Sequence, residues 1–370
     1  MSRRFRRWRN GNRDKRKRFR DPAVIVVVSY PGEEHTARVV EHLARAGREV
    51  VQIDLADFPA RRTIEFSWSS KKKPEFFIQH DGRRVNLADA GAVWWRRVTG
   101  FAVDPCIGHG ERSAFAHSET SQAVYGMLDS LSCPWMNPRE ADAAAHHKPY
   151  QWTVAQELGL QLPRTLVTTD ARAAREFIES VRPAKVVFKA FLAAIQEWRE
   201  TRLVEQEDLD RLDLVRYAPV IFQEYVPGVD LRITMIGDDI FAAEIDVRNT
   251  SYEVDMRMVV GEGIVAAVTL PDSVQTKLRN LQHRLKLVYG AIDMRRTEAG
   301  EYVFLEVNPA GQWLFVEQRT GQPIARALAD YLCAVSEKPA LARGREGAKS
   351  AKSGYRKTEK THAPDPTHTG

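Results

Sequence analysis

The 370-residue sequence has few cysteines and no long apolar segment. Its three cysteines, Cys106, Cys133 and Cys333, do not have the spacing of metal ligands. The longest apolar run covers residues 23–28, whereas a membrane-spanning helix needs roughly 20 residues. No apolar segment of signal-peptide length follows the arginine-rich N-terminus. These absences predict a soluble protein of the reducing cytoplasm that does not contact a membrane.

The net positive charge is confined to the two ends of the chain. Residues 1–20 contain 11 Arg and Lys against one Asp, and residues 338–370 contain eight basic against three acidic residues. Because the formal net charge is +6, the region between these ends carries −9. Such a body is not expected to be a basic nucleic-acid-binding surface. Both ends are predicted to be disordered.

The basic N-terminal arm has two interpretations. Phe5, Trp8 and Phe19 stand among its arginines, and such a mixture can hold phosphates and stack on unpaired bases. The alternative, a solvated extension, is favoured because charge runs are usually exposed to solvent.

Several common catalytic signatures are also missing. The sequence contains no Gly-x-Ser-x-Gly, no P-loop and no paired Cys-x-x-Cys, so hydrolase, kinase-type and zinc chemistry are not expected. Its hydrophobic content of 43% is ordinary for a globular protein, and its length allows two or three domains with buried cores.

The hydrophobic pattern of the first third predicts a parallel sheet. Residues 24–30 form a β-branched run that is typical of a strand covered on both faces. Apolar positions at helical spacing follow over 37–44, and a second strand is expected over 48–55. Residues 63–86 predict antiparallel strands with an Asp-Gly turn. The first domain is expected to end near Pro138.

The remaining pattern predicts two α+β regions that flank a ligand between them. One helix is expected over residues 141–159, ending at Gly159. Strands and one helix are expected to follow as far as residue 226. A second long helix, over 273–290, has its leucines on one face and is expected to pack on a sheet.

An acidic residue and an amide interrupt the apolar strand in "VFLEVNPAGQW", residues 303–313. Side chains two positions apart on a strand share a face, so Glu306 and Asn308 are expected to point the same way. Asp293 precedes a turn-like segment before this strand, which predicts that it lies on a neighbouring antiparallel strand. Three such oxygens suit Mg2+ bound with a nucleotide, although each alone also fits a solvated strand face.

Two lysines are candidates for binding the phosphates of that nucleotide. Lys189 interrupts the apolar strand "VVFKAF", and Lys148 lies on the predicted helix. The alternatives are an edge lysine that reaches water and a solvated helix face. The extended segment over residues 220–237 has backbone groups that could pair with a purine edge, and Asp230 follows for a ribose hydroxyl.

The order of Lys148, Lys189, "FQEYVPGVDLR", Asp293 and "FLEVNPAGQW" resembles the ATP-grasp ligases over about residues 135–332. The βαβ unit before it resembles the domain that precedes the ATP-grasp fold in those ligases. The sequence is most similar to the branch of RimK-like ligases and graspetide (microviridin-type) peptide maturases. The Gln-Trp pair after Asn-Pro-Ala-Gly favours the maturases.

The resemblance implies an α/β and α+β protein with an ATP-grasp fold and an N-terminal α/β pre-ATP-grasp domain. Five segments are expected in chain order: a basic disordered arm, the pre-ATP-grasp domain, a central ATP-grasp subdomain, a C-terminal ATP-grasp subdomain with the metal site, and a disordered basic tail. Their expected bounds are residues 1–20, 21–138, 139–228, 229–337 and 338–370.

The resemblance also implies a role for each candidate residue. The ATP phosphates are expected at Lys148 and Lys189. The adenine is expected at Gln223, Glu224 and Val226, and the ribose at Asp230. Mg2+, as one or two ions, is expected at Asp293, Glu306 and Asn308.

Two arginines and Lys189 are implied in catalysis. Arg232 is expected near the γ-phosphate and the acyl phosphate that it forms. Arg257, in the segment "VDMR", resembles part of an Asp-Trp-Arg element of the maturases, but Met256 stands in place of the Trp. Arg257 is therefore a weaker candidate for binding the substrate carboxylate or phosphate.

The segment that is expected to cover the phosphates departs from the family. Such enzymes commonly carry glycines there, whereas residues 191–204 contain none. Either Trp198, Arg199 and Arg202 cover the phosphates, or the segment works differently.

The leading hypothesis is an ATP-dependent ligase that activates a carboxylate as an acyl phosphate and forms amide or ester crosslinks in a ribosomal precursor peptide. One alternative is a RimK-like ligase that adds amino acids to a protein tail or small acceptor. Another is a nucleotide-binding or RNA-binding protein without ligase activity. The expected partner is the precursor peptide or another carboxylate-bearing acceptor, and a homodimer is left open.

Overall fold

The computed structural model describes residues 23–191, 201–247 and 263–337. Both basic ends of the chain, for which disorder is predicted, lie outside these residues. Within the described ranges, no helix is long and apolar enough to cross a membrane.

The first third of the chain forms a parallel sheet with helices. Its elements are β1 (Ile25–Ser29), α1 (Glu34–Arg45), β2 (Val50–Ile53), β6 (Ala92–Arg97), α2 (Glu111–Asp129) and β7 (Trp135–Met136). The parallel strands have the order β2-β1-β6-β7. All of β1 is buried, which confirms the prediction of a strand covered on both faces.

A small antiparallel sheet lies between β2 and β6 in the sequence. It consists of β3 (Ile64–Ser69), β4 (Lys72–His80) and β5 (Arg83–Asn86), in that spatial order. Asp81 and Gly82 connect β4 to β5 with φ values of 48° and 74°. Such left-handed values are those of the tight hairpin turn that the Asp-Gly pair predicts.

The central region forms a four-stranded antiparallel sheet with the order β10-β9-β11-β8. Its elements are α3 (Arg139–Ala145), α4 (Lys148–Glu157), β8 (Thr165–Thr168), α5 (Ala171–Val181), β9 (Val186–Lys189), β10 (Arg202–Leu203), α6 (Gln206–Asp210) and β11 (Val220–Glu224). Short 3-10 turns occur at Leu55–Asp57, Leu87–Asp89, Pro105–Ile107 and Leu212–Tyr217.

The prediction of one helix over residues 141–159 is wrong, because the chain forms two helices there. Pro149 has no N–H and cannot extend the hydrogen-bond ladder of α3, whereas its fixed φ suits the first turn of a new helix. The break places Lys148 at the first residue of α4.

The last region forms a five-stranded antiparallel sheet with the order β14-β13-β12-β15-β16. Its elements are β12 (Val229–Ile236), β13 (Asp239–Asp246), β14 (Ile264–Val268), α7 (Asp272–Arg284), β15 (Tyr289–Arg296), β16 (Tyr302–Asn308), α8 (Leu314–Thr320) and α9 (Ile324–Ser336). Helix α7 ends before residue 290, where the sequence predicts its end, because Lys286 adopts a left-handed φ of 56°. Leu278 and Leu281 are buried in the core of this sheet, as predicted.

One hydrophobic core joins the parallel sheet to the end of the last region. Ile25 and Trp94 of the parallel sheet are buried together with Trp313, Leu328 and Leu332. Trp313 directly precedes α8, and the two leucines belong to α9. The segment after β16 is therefore packed between the parallel sheet and the five-stranded sheet.

Candidate active site

Two carboxylates lie opposite each other on β15 and β16. Asp293 is the register partner of Glu306, and Ala291 is the register partner of Asn308. The pairing confirms the predicted antiparallel neighbours, and the three candidate metal ligands share one face of the sheet. The register shifts directly after Asp293, where Leu305 has no opposite residue.

Both candidate lysines meet the Glu306 carboxylate. Lys148 forms an ion pair and hydrogen bond with Glu306 Oε2 from the start of α4. The Nζ atom of Lys189, at the end of β9, lies 3.9 Å from the same oxygen. The three side chains are only 13–18% exposed. The charges that the sequence predicts in one site are therefore brought together where β16 meets the start of α4 and the end of β9.

Arg232 holds the second carboxylate. Its Nη1 donates to Asp293 Oδ1 at 2.6 Å, while Nε and Nη2 donate to the carbonyl oxygen of Gln312 at 3.1 and 2.8 Å. Burial alone would lower the pKa of Arg232, but the adjacent Asp293 carboxylate reverses this effect and raises it. Arg232 is therefore a buried, permanently charged group that joins β12 to β15 and to the segment after β16.

A close approach at Gly311 allows these contacts. A Cβ atom at this position would lie 2.3 Å from the Ala291 Cβ and 3.2 Å from Arg232 Nη2. The first distance is far inside van der Waals contact. The glycine of "NPAGQW" is thus required for the segment after β16 to lie against β15 and Arg232.

The side chains at this site fit a magnesium nucleotide. Asp293 and Glu306 supply hard carboxylate oxygens, which Mg2+ prefers. Asn308 Oδ1 accepts from the Ala310 N–H at 3.0 Å and, as an amide oxygen, retains a second lone pair. Among the described residues, no three His, Cys, Asp or Glu side chains gather. The candidate metal site therefore consists of two carboxylates and an amide, beside cations that suit phosphates.

The candidate adenine residues lie at the end of β11. Gln223 is buried, and its side chain donates to Thr165 Oγ1 at 2.8 Å. The N–H of Glu224 donates to the Arg164 carbonyl oxygen at 2.9 Å. Both groups thus have protein partners, and their contacts with adenine stay predictions.

Val226 and the candidate ribose residue, Asp230, are linked by Arg295. Arg295 Nη1 donates to the Val226 carbonyl oxygen at 2.9 Å. Its Nε and Nη2 contact the two Asp230 carboxylate oxygens at 2.9 and 3.1 Å. Across the described ranges, no hydrogen bond uses the Val226 N–H. This N–H suits an adenine nitrogen, whereas a ribose contact would have to join the ion pair of Asp230.

Part of the predicted site lies outside the described residues, namely Arg257, Trp198 and Arg199. Arg202 lies on β10, where its Nη2 contacts Asp208 Oδ1 at 3.0 Å and its guanidinium lies 4.7 Å from the centre of the Phe188 ring. Its role in covering phosphates stays a prediction.

Sequence analysis missed a buried arginine that holds the segment after β16. Arg96, on β6, is 2% exposed, and its Nη1 donates to the carbonyl oxygens of Ala310 and Gly311 at 2.7 and 2.8 Å. The Tyr289 hydroxyl also donates to the Gly311 oxygen, at 2.8 Å. The available signal was a pair of arginines in the apolar strand "AVWWRRV", since charged residues are seldom buried without a partner.

Two buried amides complete this framework. Asn137 donates to the carbonyl oxygens of Tyr289 and Pro309 at 2.9 and 3.1 Å, and it accepts from the N–H groups of Val288 and Tyr289. Gln151 bonds to both backbone groups of Val307. The metal-site strand and the segment after it are thus fixed by side chains from other regions.

The Arg96 guanidinium also faces an acidic group at the start of α1. Arg96 Nη2 lies 3.4 Å from Glu33 Oε1, and His35 Nδ1 lies 2.8 Å from the same oxygen. Burial alone would raise the pKa of Glu33, but hydrogen bonds from His35 and Thr36 and the charge of Arg96 hold it well below its usual range. Glu33 is therefore a buried carboxylate that stays ionised.

The chain matches two family models. The MvdD pre-ATP grasp domain matches residues 24–143, and the RimK-like ATP-grasp domain matches residues 145–332. These matches confirm the resemblance and the fold that it implied. Among curated proteins, the comparison finds no match to this chain.

Three solved structures illustrate what this chain is similar to. The macrocyclase MdnC from Microcystis aeruginosa MRC, bound with precursor peptide MdnA, is 29% identical with a TM-score of 0.75, covering 84% of this chain and 99% of MdnC. The ATP-grasp ligase PsnB, complexed with a phosphomimetic variant of its minimal precursor, Mg and ADP, is 26% identical with a TM-score of 0.71. That alignment covers 86% of this chain and 100% of PsnB.

The third structure supports the fold alone. It is the RiPP-associated ATP-grasp ligase of Chryseobacterium gregarium in complex with ADP and a leader and core peptide. Its sequence is 24% identical and its TM-score is 0.76, with 86% of this chain and 98% of that chain covered.

Proposed function

We propose, from the premise that this chain belongs to the RimK-like ATP-grasp family, that it crosslinks side chains of a ribosomal precursor peptide. It is an ATP-dependent ligase, with ATP and Mg2+ as cofactors. The peptide substrate is inferred from MdnC, which is bound with precursor peptide MdnA and of which this chain covers 99%.

One arrangement carries the proposal. Lys148 and Lys189 converge on Glu306, while Arg232 holds Asp293 directly opposite on the neighbouring strand. Carboxylates and cations alternate at this site, and each can exchange its present partner for a metal ion or a phosphate oxygen. A ligase that transfers a phosphoryl group needs both kinds of charge at one place.

The chemistry requires activation of a carboxylate. An oxide is a poor leaving group, so the γ-phosphoryl group of ATP, with its charge reduced by Mg2+, is transferred to the substrate carboxylate to form an acyl phosphate. An amine or hydroxyl of the peptide then displaces phosphate and forms an amide or ester. The protein supplies alignment and charge neutralisation, and no protein nucleophile is needed.

The roles proposed for the chain's residues follow from this division of work. Lys148 and Lys189 bind phosphates, and Arg232 stabilises charge at the transferred group. Mg2+ binds at Asp293, Glu306 and Asn308. The adenine and ribose are assigned to Gln223, Glu224, Val226 and Asp230, and the substrate carboxylate or phosphate is assigned to Arg257.

The net charge of the site favours two magnesium ions. Three cations, Lys148, Lys189 and Arg232, stand beside the two carboxylates Asp293 and Glu306, which leaves one positive charge. ATP adds about four negative charges and the substrate carboxylate adds one, so the total is zero with two divalent ions and −2 with one. We therefore propose two ions in the loaded site.

The test is incubation of the purified chain with the precursor peptide encoded beside its gene, ATP and Mg2+. The peptide is expected to lose one water for each bond formed, and ADP and phosphate should appear in equal amounts with the bonds. Mass spectrometry and a coupled ADP assay measure both, with Glu306→Gln as the inactive control.

Other outcomes would contradict the proposal in distinct ways. Formation of AMP and pyrophosphate would show that the carboxylate is activated by adenylation and not by phosphoryl transfer. A gain in mass by added amino acids would instead support the RimK-like reaction. Nucleotide binding without ligation of the peptide or of amino acids would support a binding protein.

A further inference from the structure

The strand order predicts a crevice at the carboxyl ends of β1 and β6 of the parallel sheet. From β1 the chain passes through α1 to β2 on one side, whereas β6 lies on the other side of β1. The strand order therefore reverses between β1 and β6. In open parallel sheets, ligands bind outside the carboxyl ends of strands at such a point. Ser29, the last residue of β1, is paired there with Arg97, the last residue of β6.

The two adjacent arginines at this crevice have different surroundings. Arg96 is fully engaged with Glu33 and with the carbonyl oxygens of Ala310 and Gly311. Arg97 is partly buried. Among residues 23–191, 201–247 and 263–337, its guanidinium has neither a hydrogen bond nor an ion pair. Its planar guanidinium is therefore available to an anionic ligand such as a carboxylate.

Neighbouring groups do not cancel the charge of Arg97. Glu33 already contacts Arg96, His35 and the hydroxyl of Thr36. Burial lowers the pKa of Arg97, and so does the charge of Arg96. Both effects disfavour the charged form of Arg97. An anion bound beside its guanidinium would stabilise that charged form.

The crevice adjoins the reaction centre. The Tyr289 hydroxyl bonds to Gly311, in the segment that follows the metal-site strand. Arg96, the residue before Arg97, donates to the carbonyl oxygens of Ala310 and Gly311 in the same segment. Arg232, which holds Asp293, donates to the next carbonyl oxygen, that of Gln312. The end of β6 and the arginine at the metal-site carboxylate thus hold consecutive residues of one segment.

We propose that Arg97 forms a subsite that binds the carboxylate of an acidic side chain of the peptide. The subsite is the crevice between the carboxyl ends of β1 and β6. This inference rests on the proposed peptide substrate. The bound carboxylate is either the one that receives the phosphoryl group or a second acidic side chain that fixes the register of the peptide.

The test compares Arg97→Met, Arg97→Lys and the wild type. Loss of a charge-assisted contact predicts that Arg97→Met raises the KM for the precursor peptide about tenfold or more, with the KM for ATP unchanged. Arg97→Lys should recover part of this loss. The matched control, Arg45→Met, removes a 65% exposed arginine of α1 and should leave both KM values unchanged.

Two further measurements separate binding from a structural role. Arg97→Met removes a partly buried charge that has no protein partner among the described residues, so its melting temperature should equal or exceed that of the wild type. Each acidic residue of the peptide is also replaced by its amide. One replacement should raise the wild-type KM about as much as Arg97→Met does, and it should add nothing in the Arg97→Met variant. If that position also abolishes kcat, it is the activated carboxylate; otherwise it sets the register.

An active Arg97→Met variant with the wild-type KM for the peptide would overturn the inference and leave the proposed function intact. So would additive effects of Arg97→Met and every peptide replacement. If the wild type crosslinks no peptide, the proposed function fails and this inference fails with it. Should Arg97→Met not fold, Arg97→Lys with the peptide replacements gives the same comparison.

Discussion

Replacing Asp293 with Asn is expected to destabilise the fold as well as stop the reaction. Asp293 Oδ1 is 2.6 Å from Arg232 Nη1, and the two side chains are 17% and 8% exposed. The substitution leaves the guanidinium buried beside a neutral amide. Removing one partner of a buried ion pair costs about 3–5 kcal/mol. Because Arg232 keeps two contacts with the Gln312 carbonyl oxygen, we expect the lower end, about 3 kcal/mol.

Such a loss is large compared with the total stability of a domain, which is about 5–15 kcal/mol. Urea unfolding of the protein without nucleotide measures it, provided that the slope of free energy against urea stays the same in both proteins. The activity of Asp293→Asn has to be measured below its own unfolding transition. Otherwise unfolding would be mistaken for loss of a metal ligand.

The double variant Arg232→Met/Asp293→Asn provides the control. It removes the buried charge together with its partner, and replacing a buried pair by an apolar side chain is often neutral. The double variant should therefore be more stable than Asp293→Asn, although it stays inactive. The reasoning is refuted if Asp293→Asn unfolds at the wild-type urea concentration, or if the double variant is no more stable than the single one.

Three other changes separate catalysis, stability and surface charge. Glu306→Gln should abolish ADP formation with peptide present, because it removes the charge of a metal ligand, and wild-type turnover by the folded variant would contradict the metal assignment. Burial raises the pKa of Asp142 from 3.8 to about 6, so its ionisation destabilises the fold as the pH rises through this value. Asp142→Asn should therefore add about 3 kcal/mol of stability in urea unfolding near pH 8 and far less near pH 4. The control Glu298→Gln, at an exposed position, should add none. Equal gains of Asp142→Asn at both pH values would contradict the raised pKa of Asp142. Deleting residues 1–20 should leave ligase activity unchanged and weaken only salt-sensitive binding to anions, so a large loss of activity at physiological salt would show that the arm has another role.

The sequence predicts the metal-site strands well because their signal is local. Asp293 and Glu306 are separated by a short turn, and the two-residue period of a strand places Glu306 and Asn308 on one face. The observed pairing of Asp293 with Glu306 follows from these two facts. The break before α4 was missed because residues that favour a helix, the alanines of α3 and residues 150–157, stand on both sides of it. Pro149 is the residue of the sequence that indicates this break.

The framework around the active site could not be predicted in the same way. Arg96 reaches the carbonyl oxygen of Ala310, 214 positions away in the chain, and Asn137 reaches Tyr289 across 152 positions. A hydrophobic pattern indicates that β6 is a buried strand, but it contains no information about which distant backbone groups meet its polar side chains. These contacts depend on how the parallel sheet packs on α9 and the segment after β16, which is a property of the assembled fold.

The two ion pairs of the active site differ in what they connect, and this difference has a consequence for ligand binding. Arg232 and Asp293 lie on neighbouring strands of one sheet, where packing fixes both. Lys189 instead reaches Glu306 from the central sheet, and Lys148 reaches it from α4, which Gln151 bonds to β16. A metal ion that binds Glu306 displaces Lys148 and Lys189, and this costs little only when phosphates bind the two lysines. Phosphates can bind these lysines in turn only when Glu306 has another cation as its partner. Metal and nucleotide are therefore expected to favour each other's binding, and by thermodynamic linkage the effect is equal in both directions.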